Sequence, residues 1–193
     1  MNMKKLTGLF LFFLLVGSSC SKSDPCESLV CQNDGSCVDG KCQCPEGWEG
    51  TLCETESLPN AVVVTNIKVP KFPDKKSNGS NWDADNTGPD LFTALYTLKE
   101  DNTTDQVLWI SDVIKLNVVS GKTHEFSIVL PKLAMNNYEK KLGFFLWDKD
   151  DGASETMGGI AFKLQDVIKG RPDSFILDCS TCKVAFELAV KYE

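Results

Sequence analysis

The amino-acid sequence predicts a mostly β protein, in which a small disulfide-rich module precedes an eight-stranded antiparallel β-sandwich. Two observations lead to this prediction. Six cysteines fall within residues 26–53. From Ala61 onward, apolar and polar residues alternate, which is the period of a β-strand with one buried face. With 193 residues, the chain has room for one full domain and a small one.

The N-terminal segment has the features of a secretory signal. Lys4 and Lys5 form a basic start, the apolar run 6–16 follows, and small residues lead to Cys20. This run is much shorter than the roughly 20 residues that a membrane-spanning helix needs. An ordinary signal peptide that is cut nearby is the alternative, and it would leave Cys20 without a role.

The residues before Cys20 resemble the signal of a bacterial lipoprotein, with Gly17 at the position that usually holds leucine. The resemblance implies that residues 1–19 are removed and that Cys20 becomes lipidated, carrying acyl chains such as palmitate. Residues 20–25 are then a lipidated tether. Two or three acyl chains anchor a protein stably to a membrane. The implied location is the bacterial cell envelope, at the outer membrane.

The nine cysteines fit this assignment, because one lipidated residue, a cluster of six and a final pair leave no free thiol. A segment of fewer than about 30 residues cannot bury enough apolar surface to offset its chain entropy, so the cluster needs crosslinks. Six cysteines allow fifteen pairings, and spacing alone does not choose one. A six-cysteine zinc site is the alternative, which the exported context disfavours.

The stretch from Cys42 to Cys53, CQCPEGWEGTLC, resembles the end of an EGF-like domain, and Gly35 occupies the usual turn before the third cysteine. The resemblance implies that residues 26–53 form an EGF-like module. The implied disulfides are Cys26–Cys37, Cys31–Cys42 and Cys44–Cys53. Only Asp24 stands where calcium-binding members carry several ligands, so we expect no calcium in this module. Such modules serve as stalks or as protein-binding units.

Residues 54–60 are predicted to be a linker, and residues 61–193 the sandwich. The alternating runs are 61–69, 91–98, 106–114, 124–130, 142–148, 159–164, 174–179 and 182–192. Only residues 165–170 suggest a helical turn. Short strands that are separated by Asn, Asp, Gly and Pro are typical of an antiparallel sandwich.

Two acidic loops, residues 81–90 and 146–158, flank predicted strands. Carboxylates two residues apart on a glycine-containing loop let two oxygens face one hard cation, the setting that calcium prefers. The candidate ligands are Asp83, Asp85, Asp90, Asp148, Asp150 and Glu155, with Asp151 as a further member of the acidic group. Solvated turns are the alternative, because Asp and Gly are common turn formers. Trp82, beside the first loop, is expected to anchor that loop by partial burial.

The two loops and the strand count together resemble a C-two (C2) domain, the calcium- and lipid-binding sandwich. Asp90 opens an Asp-Leu-Phe triplet where that family has Asp-Pro-aromatic. Asp148, Asp150 and Glu155 follow the family's second loop, one residue short and with Glu in place of Asp. The resemblance implies calcium as a cofactor.

Cys179 and Cys182 lie between two strand-like runs. Residues that face each other across a two-residue hairpin have Cα atoms about 5 Å apart, within disulfide range. We therefore expect a disulfide that staples a hairpin. A redox-active pair is the alternative, but it would open a helix after a strand.

Charge and motif content argue against nucleic-acid binding and against catalysis. The formal net charge is −7, and an acidic chain with no Lys/Arg-rich stripe repels nucleic acid. His124 is the only histidine, and no G-x-S-x-G, H-E-x-x-H or phosphate-binding glycine motif is present.

We therefore expect a lipid-anchored binding protein of the cell envelope that is not an enzyme. Its sandwich loops, ordered by calcium, would contact a lipid, a glycan or a protein. One alternative is a non-catalytic envelope scaffold without an ion site. A less favoured alternative is an enzyme that uses the loop carboxylates, as glycoside hydrolases use paired acids.

Overall fold

The computed structural model describes residues 24–85, 87–127, 133–134 and 137–193. The predicted signal peptide and the lipidation at Cys20 lie outside the described residues. The chain divides into two compact units, the first ending at Thr55 and the second beginning at Glu56. Strands are the main regular secondary structure in both units, so the predicted mostly β class is confirmed.

The first unit is a small disulfide-crosslinked module. Strands β1 (Ser36–Val38) and β2 (Lys41–Gln43) form an antiparallel hairpin, and the short strands β3 (Trp48–Glu49) and β4 (Thr55–Glu56) follow. Disulfides join Cys26 to Cys37, Cys31 to Cys42 and Cys44 to Cys53. Those are the pairs that the resemblance to EGF-like domains implies.

Gly35 shows how tightly the disulfides pack in this module. A Cβ atom at Gly35 would lie 2.7 Å from the Sγ atom of Cys53, closer than non-bonded atoms allow. Cys53 is itself fully buried. The crosslinks therefore occupy the interior that apolar side chains fill in a larger domain.

The second unit is a sandwich of two antiparallel sheets. Its strands are β5 (Ala61–Lys71), β6 (Leu91–Leu98), β7 (Thr104–Ile110), β8 (His124–Phe126), β9 (Leu133–Ala134), β10 (Lys141–Asp148), β11 (Glu155–Lys163), β12 (Ser174–Leu177) and β13 (Ala185–Tyr192). One sheet has the order β11-β10-β6-β7, and the other has the order β12-β13-β5-β8, with β9 also pairing with β5.

The core lies between the two sheets. Along β10, the side chains of Leu142, Phe144 and Leu146 are fully buried at every second position, as expected for a strand that has one face inward. Phe144 meets Phe186 of β13 edge to face, with ring centroids 4.8 Å apart. This contact joins the two sheets directly.

Several predicted boundaries differ from the observed ones. The run 106–114 is wrong at its end, because β7 stops at Ile110. The Ser111 hydroxyl there accepts from the Val113 amide and donates to the Val113 carbonyl, so a side chain satisfies both backbone groups of Val113. The first strand continues to Lys71, and the last starts at Ala185 instead of Cys182. Of the run 124–130, residues 124–126 are strand, and residues 128–130 lie outside the described part.

Two further segments also differ from the prediction. The helix is α1 (Leu164–Val167), which begins and ends earlier than residues 165–170. The predicted linker, residues 54–60, is not separate from the sandwich over its whole length, because residues 56–60 belong to the second unit. There Pro59 is buried, and its carbonyl accepts a hydrogen bond of 2.5 Å from the Tyr138 hydroxyl.

Cys179 and Cys182 form a disulfide with a Cα–Cα distance of 5.0 Å, but not across facing strands. The last pair of the β12–β13 ladder is Leu177 with Phe186, so both cysteines lie in the loop beyond it. The Cys182 amide donates to the Cys179 carbonyl over 3.1 Å. The bridge therefore closes a turn, and the expectation of a two-residue hairpin is wrong.

Candidate functional site: the acidic end of the sandwich

Strand register brings the two acidic loops together. In the pairing of β6 with β10, Leu91 lies opposite Asp148, so the loop before β6 and the loop after β10 emerge side by side. The Lys149 amide donates to the Asp90 carbonyl over 2.8 Å. This contact extends the ladder by one step and holds Asp90 beside the end of β10.

Asp148 is the central residue of this end of the sandwich. It is the last residue of β10, and its exposed fraction is 0%. Its Oδ1 atom accepts a 2.8 Å hydrogen bond from the Asp90 amide, whereas its Oδ2 atom is buried without a hydrogen-bond partner. Burial, together with the nearby charges of Asp83 and Asp150, raises the pKa of Asp148 to about 6. An unpaired buried carboxylate is costly unless an ion or a proton compensates its charge.

Asp83, Asp148 and Asp150 form one group, which we call the three-Asp group. Each contributes a carboxylate oxygen, and these three oxygens lie within 4.8 Å of one another. Burial also raises the pKa of Asp83, and the negative charges of Asp90 and Asp150 act in the same direction. Like charges at such distances repel, and a hard cation among them would be coordinated by oxygen on several sides.

The loop before β6 has its own local order. The Thr87 amide donates to Asp85 Oδ1 over 3.0 Å, and the Thr87 hydroxyl lies 2.7 Å from the same oxygen and 3.2 Å from Asp83 Oδ2. These hydrogen bonds lower the pKa of Asp85. Asp85 is exposed and is held by Thr87 outside the three-Asp group.

The remaining predicted ligands have other partners. Asp90 Oδ1 accepts a 2.7 Å hydrogen bond from the Asn117 amide. Glu155 is not in the loop but is the first residue of β11, where it forms an ion pair with Lys76. Asp151 is exposed and lines an open depression of about 380 Å³, which is bordered by Asp83, Ala84, Asp85, Thr87, Asp90, Asn117, Lys149, Asp150 and Asp151.

Two residues of this end were not found by sequence reasoning. Asn117 contributes a backbone amide, and Lys76 an ammonium group. Lys76 lies five residues before the first acidic loop, but its partner Glu155 is far along the chain at the start of β11, so no local spacing signals the contact. Trp82 behaves as predicted for a loop anchor: it is 8% exposed, and its indole N–H donates to the Pro73 carbonyl over 2.8 Å.

His124 takes part in a structural contact. Its ring lies 5.6 Å from the ring of Phe72, and its Nε2 atom is 2.9 Å from the Val119 carbonyl oxygen. Within the described ranges, no helix is both long and apolar enough to cross a bilayer.

Comparison with known proteins agrees with the description of the first unit. Residues 20–53 match the EGF-like domain family. The chain is 44% identical over 39 residues to Protein eyes shut of Drosophila melanogaster, which covers 20% of the chain and 2% of that protein. It is 36% identical over 64 residues to Cadherin-4 of Caenorhabditis elegans, covering 31% of the chain and 2% of the relative. The chain thus spans only a small fraction of these relatives.

Among solved structures, the chain is similar to C2 domains of extended synaptotagmins. A fragment of Extended-Synaptotagmin 2 with its SMP and two C2 domains aligns over 70% of this chain and 28% of that one, at 15% identity and a TM-score of 0.45. A C2 domain of plant Extended Synaptotagmin 1 aligns over 71% of this chain and 98% of its own, at 20% identity and a TM-score of 0.34. A calcium-bound pair of C2 domains from Extended-Synaptotagmin 2 aligns at 16% identity and a TM-score of 0.35, over 70% of this chain and 47% of that one.

Proposed function

We propose that this protein is a lipid-anchored, non-catalytic binding protein of the bacterial cell envelope. Calcium at the three-Asp group orders the sandwich loops, which contact a lipid, a glycan or a protein. The observation that carries the proposal is Asp148, a carboxylate with no exposed surface and one oxygen without a partner. Its nearest charged neighbours in the group are two further carboxylates.

The chemistry of the donors favours calcium. All three members of the group offer carboxylate oxygens, and calcium takes six to eight oxygen ligands in flexible geometries. Asp85 and Asp90 border the adjoining depression and are the candidates for further oxygen ligands. Extracellular calcium modules bind with dissociation constants on the order of 10⁻⁴–10⁻³ M. Such a site fills only where calcium is abundant, as it is outside the cytoplasm.

The first module and the N-terminal sequence support the anchoring part of the proposal. A disulfide-crosslinked module is typical of exported proteins, and EGF-like modules serve as spacers or protein-binding units and rarely as catalysts. Cys20 is followed by only five residues before the first paired cysteine, so acyl chains at Cys20 would hold the module close to a membrane surface. We take the acidic end of the sandwich as the part that meets a partner, because the three-Asp group lies there.

Thermal melting of the mature chain tests the calcium site. We expect about 5 mM calcium to raise the melting temperature by about 3–5 °C relative to chelator, because a ligand at ten times its dissociation constant stabilises by about 1.4 kcal/mol. Magnesium at the same concentration should give a smaller shift, since it demands stricter octahedral geometry. If calcium and chelator give equal melting temperatures, the ion site is refuted and the scaffold alternative is favoured.

Metabolic labelling tests the anchor. Cells that express the full chain should incorporate labelled palmitate into the protein, and the Cys20→Ser variant should incorporate none and should leave the membrane fraction. Cys179→Ser is the control, because it also removes one cysteine but not the proposed lipid acceptor. Equal labelling of wild type and Cys20→Ser would refute lipidation at Cys20.

A further inference from the structure

Lys76 carries a positive charge near the end of β10, because its ion-pair partner Glu155 lies opposite Asp148 in the pairing of β10 with β11. It is on the loop between β5 and β6, and it forms an ion pair with Glu155 at the start of β11. Its ammonium nitrogen also lies 5.7 Å from the centre of the Trp82 ring. The Lys76 side chain is only 24% exposed, against 47% for Glu155. The ammonium is therefore held between the Glu155 carboxylate and the Trp82 ring instead of extending into solvent.

The charge of Lys76 acts on the acidic group as well as on its ion-pair partner. Hydrogen bonding to Glu155 raises the pKa of Lys76, and the charges of Glu155, Asp150 and Asp148 raise it further. Conversely, the ammonium opposes the rise in the pKa of Asp148. Lys76 thus interacts with three carboxylates that come from the loop after β10 and its two flanking strands.

We propose that Lys76 is a built-in counter-cation that competes with calcium at the three-Asp group. This inference rests on the proposed function. In the ion-free protein, the ammonium partly neutralises the group and keeps Glu155 paired outside it. A divalent ion that enters the group must overcome the repulsion of this ammonium, so Lys76 sets the calcium concentration at which the site fills.

The Lys76→Met variant removes the charge and retains an unbranched side chain that can still pack on Trp82. The repulsion between a divalent ion and an ammonium several ångströms away is of the order that changes affinity about tenfold. We expect Lys76→Met to bind calcium about tenfold more tightly in calorimetric titration. The gain should shrink at high salt, where charges are screened.

Lys75→Met is the matched control, because it changes the net charge equally at the neighbouring residue. The Lys75 ammonium donates instead to the Asn81 side chain. We expect its calcium affinity to stay within about twofold of wild type, as for an exposed charge. Equal gains in the two variants would indicate a general charge effect and would overturn the inference. An unchanged or weaker affinity in Lys76→Met would also overturn it.

The results that would refute the proposed calcium site differ from those that would refute the role of Lys76. If no calcium binding is detected for wild type or either variant, the ion site is refuted. If only Lys76→Met binds calcium, the wild-type ion site is refuted but Lys76 is supported as the blocking charge.

Melting in chelator gives an independent test: Lys76→Met should melt below Lys75→Met, because the acidic group then lacks its counter-charge. Equal melting temperatures in chelator would contradict the proposed role of Lys76.

Discussion

Replacing Asp148 by asparagine should stabilise the ion-free protein, although most polar substitutions in a core destabilise. Asparagine keeps an oxygen that can accept from the Asp90 amide. It also removes the negative charge that lies beside Asp83 and Asp150. The new amide N–H group would face carboxylate oxygens, to which it can donate.

The magnitude follows from the pKa of Asp148. The pKa of this carboxyl is about 6 in the folded protein, against 3.8 for an ordinary aspartate. Since one pKa unit corresponds to 1.36 kcal/mol, ionised Asp148 disfavours the folded state by about 3 kcal/mol. The protonated form carries no such penalty. The stability that protonated Asp148 contributes is fully present below pH 3.8, and it is lost as the pH rises through about 6.

Urea unfolding in chelator measures this effect. At pH 7.5 we expect Asp148→Asn to be about 1–3 kcal/mol more stable than wild type, and the difference should disappear near pH 4. The variant should also lose the calcium-dependent shift, whereas Asp151→Asn, in the same loop but exposed, should retain it. An Asp148→Asn protein that is less stable than wild type at pH 7.5 would refute the reasoning.

Three further predictions concern the two units. Phe144→Ala should cost about 3–5 kcal/mol in urea unfolding, because it empties a fully buried site between the sheets; a loss below 1 kcal/mol would contradict this. The double variant Cys179→Ser/Cys182→Ser should cost no more than about 2 kcal/mol, since its loop is very short, and its calcium titration should match wild type; altered calcium affinity would contradict a purely structural bridge. Gly35→Ala should produce mispaired disulfides on oxidative refolding, visible by peptide mass mapping, because its Cβ would meet Cys53; native pairing in good yield would contradict this.

The structure of the first module could be predicted from the sequence, because it is determined by residues that are close together in the chain. Cysteine spacing, Gly35 and the CQCPEGWEGTLC segment lie within about 30 residues, and the disulfides link neighbours in that stretch. Crosslinks that are this local leave few other ways to satisfy the sequence. The sandwich strands were also largely predictable, because alternation directly reports which face is buried.

Strand ends and side-chain partners were less predictable, because each depends on a contact that no periodic pattern encodes. β7 ends just before Ser111, whose hydroxyl satisfies the backbone amide and carbonyl of Val113. Asp85 turns toward Thr87 through a local hydrogen bond, and Glu155 pairs with Lys76 from a distant segment. The sequence thus indicated which loops are acidic, but it did not indicate which carboxylates converge.

The burial of Asp148 could have been read from the alternation that predicted β10. Leu142, Phe144 and Leu146 occupy every second position, and Asp148 is the next residue in that phase. A strand that keeps its register must direct this side chain inward, where an apolar residue would be more stable. The Asp90 amide satisfies one oxygen of Asp148 but leaves the other without a partner. The ionised group lowers the stability of the ion-free fold, and this cost supports the proposed cation site. The Asp148→Asn variant separates the cost to folding from the contribution to ion binding.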